Sequence, residues 1–316
     1  IMAQVMQDTK RVYTFGNKSA EGNGQMKELL GGKGANLCEM SNLGLHVPPG
    51  FVITTDTCNA YKERTREEMI AMLDEQVRSG LVHIQNIMSS KFSDAENPLL
   101  VSVRSGARVS MPGMMDTVLD VGLNDEVVDG LARRTGKVKF AWDSYRRFIQ
   151  MYGDVVMKVN SFTDEDEDVF DSILEEMKDA RGFESDQQFS VEDLKTIVSR
   201  YKETIIALTG KAFPTDPMEQ LWNAILAVFE SWSTPRAKLY RKLNGYSEDW
   251  GTAVNVQAMV YGNKGNTSAS GVAFTRNAAT GENIFNGEYL VDAQGEDVVA
   301  GIRTPLRICK KGSQMW

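Results

Sequence analysis

The chain has 316 residues, enough for one large domain or two to three smaller units. Its net charge of −8 argues against general nucleic-acid binding, and its longest purely apolar run, residues 224–229, is far too short to span a bilayer. Three cysteines, Cys38, Cys58 and Cys309, are odd in number and lack metal-ligand spacing, which argues against a disulfide scaffold and suits a reducing compartment. His46 and His83 lie near no second ligand-type cluster and read as ordinary surface or packed residues. No signal or transit peptide is visible, although the chain begins at Ile1 rather than Met.

Residues 29–40 read Leu-Leu-Gly-Gly-Lys-Gly-Ala-Asn-Leu-Cys-Glu-Met. A glycine-rich turn that opens a helix presents free backbone N–H groups and the positive end of the helix dipole, and Lys33 adds a point charge there. Leu37, Met40 and Leu43 are spaced to share one side of that helix. The chemistry is that of a phosphate cradle without the Walker spacing. A tight helix start with an exposed lysine fits the segment equally well. Downstream, Pro48-Pro49-Gly50 predicts a turn, residues 51–54 a short strand, and residues 57–88 a mostly helical stretch. Residues 99–103 form a compact apolar strand that Arg104-Ser105-Gly106 follows directly, and Met111-Pro112-Gly113-Met114-Met115 is an irregular loop. A cation at a strand end, beside a loop that lets backbone approach closely, suits polyphosphate.

From residue 124 to 232 the pattern is helical, with Leu194, Ile197, Val198, Tyr201, Ile205 and Leu208 at helix spacing, then Leu221, Ile225, Val228 and Trp232. The acidic run 164–168 reads as a capped, solvated helix start rather than a Mg²⁺ site, because consecutive carboxylates on a helix point in different directions. Arg147 and Arg236 sit on helical segments where a surface arginine usually does nothing chemical. From Ala253 the period becomes two, and residues 254–260 and 271–276 predict an antiparallel hairpin around the turn 262–266, whose small polar residues suit a lid. Residues 288–292 make a third strand, followed by Gln294-Gly295-Glu296. The order is an α/β lobe, a helical block, then a β-rich lobe.

Taken together, Leu-Leu-Gly-Gly-Lys-Gly-Ala-Asn-Leu, Val-Pro-Pro-Gly-Phe, Val-Ser-Val-Arg-Ser-Gly-Ala and Ser-Met-Pro-Gly-Met-Met-Asp-Thr resemble the N-terminal nucleotide-binding domain of the pyruvate phosphate dikinase family. Trp142-Asp-Ser-Tyr-Arg-Arg-Phe and Gln294-Gly-Glu-Asp-Val-Val-Ala-Gly-Ile-Arg-Thr-Pro are similar to the same family, and the wording looks most like its plant form. The methionine-rich string argues against phosphoenolpyruvate synthase and the glucan dikinases.

The resemblance implies an α+β, ATP-grasp-type fold: an α/β lobe over residues 1–123, a helical insert over 124–211, and a return helix with an antiparallel lid lobe over 212–316. It implies that ATP, phosphate and pyruvate become AMP, pyrophosphate and phosphoenolpyruvate by way of a phosphohistidine domain and a pyruvate domain, making the family a phosphotransferase. It assigns phosphate contacts to Lys33 and Arg104, with Arg147 and Arg236 near the phosphates. Gln257 and Met259 fall on the adenine-lining strand, and Gln294 and Glu296 in the loop facing the nucleotide. ATP and Mg²⁺ are the implied cofactors, the metal carboxylates belonging to a continuation that the tail after Pro305 does not resemble. On that basis the chain reads as truncated within an incomplete C-terminal lobe, unable to complete turnover alone. The alternative is a non-catalytic nucleotide-binding or interaction fragment. Ala269 and Ser270 replace the family's glycine and threonine in the lid, an exchange that stiffens it. The expected compartment is the chloroplast stroma or the cytoplasm, with no nucleic-acid or membrane partner, and the family allows a homo-oligomer.

Overall fold

Why a strand with Asn and Gln among its valines should lie at the centre of a sheet is explained by what covers it. In the computed structural model, which describes residues 9–163, 168–301 and 303–308, six strands pair antiparallel in one sheet. In chain order these elements are β1 (Val12–Gly16), β2 (Ser19–Ala20), α1 (Lys27–Asn42), β3 (Gly50–Ile53), α2 (Thr55–Tyr61) and α3 (Arg66–Met88). The short parallel strands β4 (Lys91–Phe92) and β5 (Pro98–Leu99) follow, then β6 (Val101–Gly106) and β7 (Thr117–Val121). Five helices come next: α4 (Asp125–Thr135), α5 (Val138–Val155), α6 (Val169–Arg181), α7 (Val191–Thr209) and α8 (Pro217–Ser231). After α9 (Pro235–Asn244) the chain returns to the sheet as β8 (Ala253–Ala258), giving the strand order β2-β1-β3-β8-β6-β7.

The register fixes what each face carries. Tyr13, Val52, Asn255, Arg104 and Thr117 are cross-strand partners in one row, and Phe51, Val256 and Val103 are partners in the next. Paired residues in an antiparallel ladder point to the same face, and adjacent rows to opposite faces. Helix α1 covers the Val52 row, where a Cβ on Gly34 would come within 2.9 Å of Val52. Helix α3 covers the Phe51 row, where a Cβ on Gly80 would strike the Phe51 ring at 2.5 Å. With helices on both faces, Val254, Asn255 and Val256 are all buried.

Two sequence expectations are corrected here. The strand placed at 99–103 runs from Val101 to Gly106, so Arg104 lies inside the strand rather than after it. The hairpin across 262–266 does not form, because β8 takes both its partners, β3 and β6, from the first sheet. Alternation marks a strand but not its neighbour, and burial between two helices decided the partner.

Helix α1 is also not a simple helix behind a turn. Gly31 has φ +68° and ψ 169° within it, a break that only glycine makes without strain, so two helical segments meet at Gly31. Leu37 and Met40 are half-buried as expected, but Leu43 falls at the C-cap and is 70% exposed.

The helical pattern between 124 and 232 forms as read. Leu194, Ile197, Val198, Tyr201 and Ile205 are buried along α7, and Leu221, Ile225 and Val228 along α8. Gln220 pins α8 to the turn after β7: its Oε1 accepts from the Gly122 N–H at 3.0 Å, and its Nε2 donates to the carbonyls of Leu123 and Pro214, each at 2.8 Å. Of the acidic run, residues 164–167 lie outside the described residues. Asp168 caps α6 by accepting from the N–H groups of Phe170 and Asp171. Cys38 and Cys58 are free buried thiols, which burial pushes up to about 11, while Cys309 and the tail beyond it lie outside the described residues.

The chain divides into two compact units between Met259 and Val260. The second holds β9 (Ala269–Phe274), β10 (Asn286–Val291), α10 (Gly295–Ala300) and β11 (Leu306–Arg307), with strand order β11-β10-β9, all antiparallel. Its leading loop is fastened within the unit, where Gly265 N–H donates to Asp292 Oδ1 at 3.0 Å and Ala293 N–H to the Gly262 carbonyl at 2.9 Å. No helix of the described residues is long and apolar enough to cross a membrane.

Two stability predictions follow from this packing. A Cβ on Gly31 would collide with the Gly106 carbonyl in a backbone conformation that side chains avoid. Gly31→Ala is therefore expected to cost roughly 3 kcal/mol or more in denaturant unfolding. At the end of α5, burial and the nearby charge of Asp168 raise the Asp154 carboxyl from 3.8 to about 7, and Asn160 Nδ2 donates to both carboxylates. The folded chain then binds a proton that the unfolded chain releases. That stabilisation is complete below about 3.8 and is lost as pH rises through about 7. Melting temperature is expected to fall between pH 5 and pH 8, and the fall should shrink in Asp154→Asn.

Candidate functional site

The break at Gly31 determines where Lys33 can stand. Gly31 abuts the Gly106 carbonyl, Gly32 N–H donates to the Ala107 carbonyl at 2.8 Å, and Gly106 N–H donates to Thr252 Oγ1 at 3.1 Å. These contacts clamp the glycine-rich part of α1 against the end of β6. They also use the Gly32 N–H, so the turn does not present all its amides freely, as the sequence suggested. Lys33 follows with part of its side chain exposed and its Cβ towards Gly106 of β6, 3.7 Å from where a Cβ there would lie. Arg104 stands two residues before Gly106 on the strand face that α1 covers.

The two cations are close enough to feel each other. Lost hydration pushes the Lys33 ammonium down to about 8, and the positive charge of Arg104 pushes it in the same direction. Lys33 finds no carboxylate partner among the described residues, in contrast to the paired charges elsewhere in this unit. Converging cations beside a glycine-walled backbone suit an anion bearing several oxygens, such as a polyphosphate.

The other sequence candidates are distributed differently. Arg147, on α5, donates from Nε to Asp143 Oδ2 at 2.9 Å. Asp143 also pairs with the buried Arg146 at 2.8 Å, and although burial works to raise its carboxyl, these two arginines hold it below the ordinary range. Arg236, at the start of α9, donates to Asp116 Oδ1 at 2.6 Å and to the Met114 carbonyl at 3.3 Å. It thereby fastens the methionine-rich loop. Gln257 lies on β8 and donates from Nε2 to the Pro48 carbonyl at 2.9 Å, and Met259 is buried just past the strand end. Gln294 and Glu296 belong to the second unit. Gln294 is the buried N-cap of α10, its N–H donating to Asp297 Oδ2 at 3.0 Å, and Glu296 is exposed in the first turn. Lys33 and Arg104 are thus brought together, while Arg147 and Arg236 are tied to carboxylates of their own.

Two neighbours escaped sequence reading. Arg108 pairs with Glu28 at 3.5 Å and stacks over Trp250 at 5.4 Å, holding the loop after β6 to the start of α1. Asn255 pairs with Arg104 across the strands, and its only sequence signal is an amide among the valines of an alternating run. Elsewhere in this unit, a cavity of about 650 Å³ lined by Tyr61, Arg66, Tyr152, Lys211 and Glu230 contains none of the phosphate-site candidates. His46 is exposed, and His83 contacts the Phe15 carbonyl at 3.0 Å, a packing role.

The helix-covered antiparallel sheet, the glycine-clamped lysine and the second, smaller antiparallel unit define a nucleotide-binding domain of ATP-grasp type, α+β in class. The family model described as pyruvate phosphate dikinase, AMP/ATP-binding domain, matches residues 27–82 and 66–316, and the chain belongs to that family. Pyruvate, phosphate dikinase of Rhizobium meliloti is 58% identical over 95% of this chain and 32% of its own length. The chloroplastic pyruvate, phosphate dikinase of Flaveria trinervia is 53% identical over 94% of the chain and 30% of its own length. The Clostridium symbiosum enzyme is 50% identical over 97% and 34%. The chain thus spans about a third of the length of the curated relatives it matches, and identity is spread over bacterial and plant members alike. The family match runs through Trp316, so the likeness does not stop after Pro305 as the tail suggested.

The depressed Lys33 ammonium is directly measurable. Lysine acylation at position 33 is expected to show a midpoint near pH 8, moving upward in Arg104→Ala, where one source of the depression is gone. An unmoved midpoint would separate the two cations.

Proposed function

We propose that this chain forms the nucleotide-binding part of a pyruvate phosphate dikinase and holds ATP with its phosphates against Lys33 and Arg104. The observation that carries this is the convergence of those two cations beside the Gly31–Gly106 clamp. In the reaction we assign, ATP, phosphate and pyruvate give AMP, pyrophosphate and phosphoenolpyruvate. Phosphoryl transfer asks the protein chiefly for positioning and for charge stabilisation on the transferring group. Lys33 and Arg104 supply fixed positive charge for that purpose. Magnesium, when bound with the nucleotide, would neutralise further phosphate charge.

Gln257 and Met259 are assigned to the adenine side, and Gln294 and Glu296 to the contribution of the second unit. Arg147 and Arg236 come second in the phosphate assignment because carboxylates already engage them. The helical block over 124–211 is assigned as an insert, and the loop 262–268 as a lid. The phosphoryl group passes to a histidine on a separate domain and from there to pyruvate on another. His46 and His83 lie in nothing that resembles an acceptor motif. A plant member of this kind would work in the chloroplast and a bacterial one in the cytoplasm.

Calorimetry with ATP and AMP tests the assignment. Arg104→Ala should weaken ATP binding by roughly 1.5–3 kcal/mol, the range for hydrogen bonds to charged groups, and AMP binding much less. Equal losses for both nucleotides would move Arg104 away from the outer phosphates.

A further inference from the structure

The cavity of about 650 Å³ in the first unit carries charged and hydrogen-bonding groups that the nucleotide reading leaves unused. Glu219, Asn223, Leu226, Ala227 and Glu230 line it at helical spacing along one face of α8. Its other walls include Tyr61 at the end of α2, Arg66 at the start of α3 and Tyr152 near the end of α5. The volume falls within the range of small-molecule sites.

Tyr152 is fully buried, its ring held edge-on against Phe148 and Phe213 at centroid distances of 5.6 and 5.3 Å. Its hydroxyl oxygen accepts from Asn223 Nδ2 at 2.8 Å, but its own hydrogen finds no acceptor among the described residues. Tyr61, by contrast, donates its hydrogen to Glu230 Oε1 at 2.9 Å. Burial raises the Tyr152 hydroxyl, so the hydrogen stays in place. The charges of Glu219 and Arg66 act on that hydroxyl in opposite directions, so both lie near it. A buried O–H with no acceptor is uncommon in a folded protein.

The charges around the cavity do not cancel. Glu230 is engaged by Tyr61 and by Lys158, which stands 3.5 Å away. The side chains of Arg66, Lys211 and Glu219 make no ion pair or hydrogen bond among the described residues. Two unmatched cations against one unmatched carboxylate leave a surplus of one positive charge. Together with the Tyr152 donor, they suit a monoanion whose oxygens accept hydrogen bonds. The rest of the lining is largely apolar, with Met157 and Leu226 inside and Phe162, 55% exposed, offering an uncovered ring. A flat aromatic body fits such a wall.

We propose that this cavity binds an organic monoanion, a carboxylate carried on an aromatic body. Arg66 and the Tyr152 hydroxyl receive the carboxylate, Lys211 adds positive charge, and Phe162 and Leu226 flank the ring. The site shares no residue with the phosphate candidates and does not depend on the nucleotide reading.

Calorimetry of the whole chain with cinnamate tests this, beside cinnamamide, which has the same body without the charge. Cinnamate should bind with a Kd of roughly 1 mM or tighter, as a ligand of its size permits, and cinnamamide roughly tenfold more weakly. Arg66→Gln should weaken cinnamate about fivefold or more and Tyr152→Phe about threefold or more. Ala212→Trp, at an exposed lining residue, should abolish binding with the melting temperature of the parent chain. Saturating ATP should leave the affinity for cinnamate unchanged. Absence of cinnamate binding would overturn the proposal and leave water as the partner of the Tyr152 hydroxyl. Equal affinity for cinnamate and cinnamamide would overturn the anion requirement. Displacement by ATP, or binding retained in Ala212→Trp, would overturn the location. Should Tyr152→Phe fail to fold, Arg66→Gln decides alone: the stated loss supports the site and unchanged affinity rejects it.

Discussion

The contact between Gly31 and Gly106 is the constraint on which the first unit depends. Without side chains on either residue, the break in α1 can lie directly against the backbone at the end of β6. That approach draws the second half of α1 across Val52, Asn255 and Arg104. It fixes the height of the helix above the sheet, and therefore where Lys33 emerges. Gly34 extends the same logic by one turn. Helix and strand thus meet at a distance that larger residues would forbid, and the two cations meet because of it.

Charge in this unit follows a clear division. Arg146 and Arg147 share Asp143, Arg236 holds Asp116, and Arg241, almost wholly buried, lies 3.9 Å over the Trp232 ring while donating to its carbonyl. Each of these cations has a carboxylate, carbonyl or ring partner in the fold. Lys33 stands apart, depressed by its surroundings and by Arg104 rather than supported by a carboxylate. A protein retains such an arrangement at a cost in stability, and sites of perturbed titration are where binding and catalysis concentrate. The contrast between Lys33 and the paired arginines is what separates the candidate site from the ordinary ion pairs around it.

The return of β8 to the centre of the sheet links distant parts of the chain. It inserts between β3 and β6 after an excursion of five helices and α9, so the sheet closes only when residues more than a hundred positions apart meet. The same strand carries Asn255 to Arg104 and ends at Ala258, one residue before the first unit ends at Met259.

Local chemistry was legible in the sequence: the glycines around Lys33, the helical periods from 124 to 232, the acidic helix start at 164–168, whose last residue caps α6, and the alternation that begins at Ala253 all follow from short-range rules. The motif strings also carried the family. Strand partnership was not legible, because a period of two is the same for a hairpin and for a central strand, and only helices on both faces selected the latter. The sequence set Arg104 apart from the helical Arg147 and Arg236, but only the fold decides that Arg104 approaches Lys33 and that Arg236 meets Asp116, far from it along the chain. The sequence by itself determined the elements and the family, because backbone propensity and motif are local. The tertiary structure alone decided that Lys33 and Arg104 would approach each other, because that neighbourhood is made by a strand and a helix whose residues lie far apart along the chain.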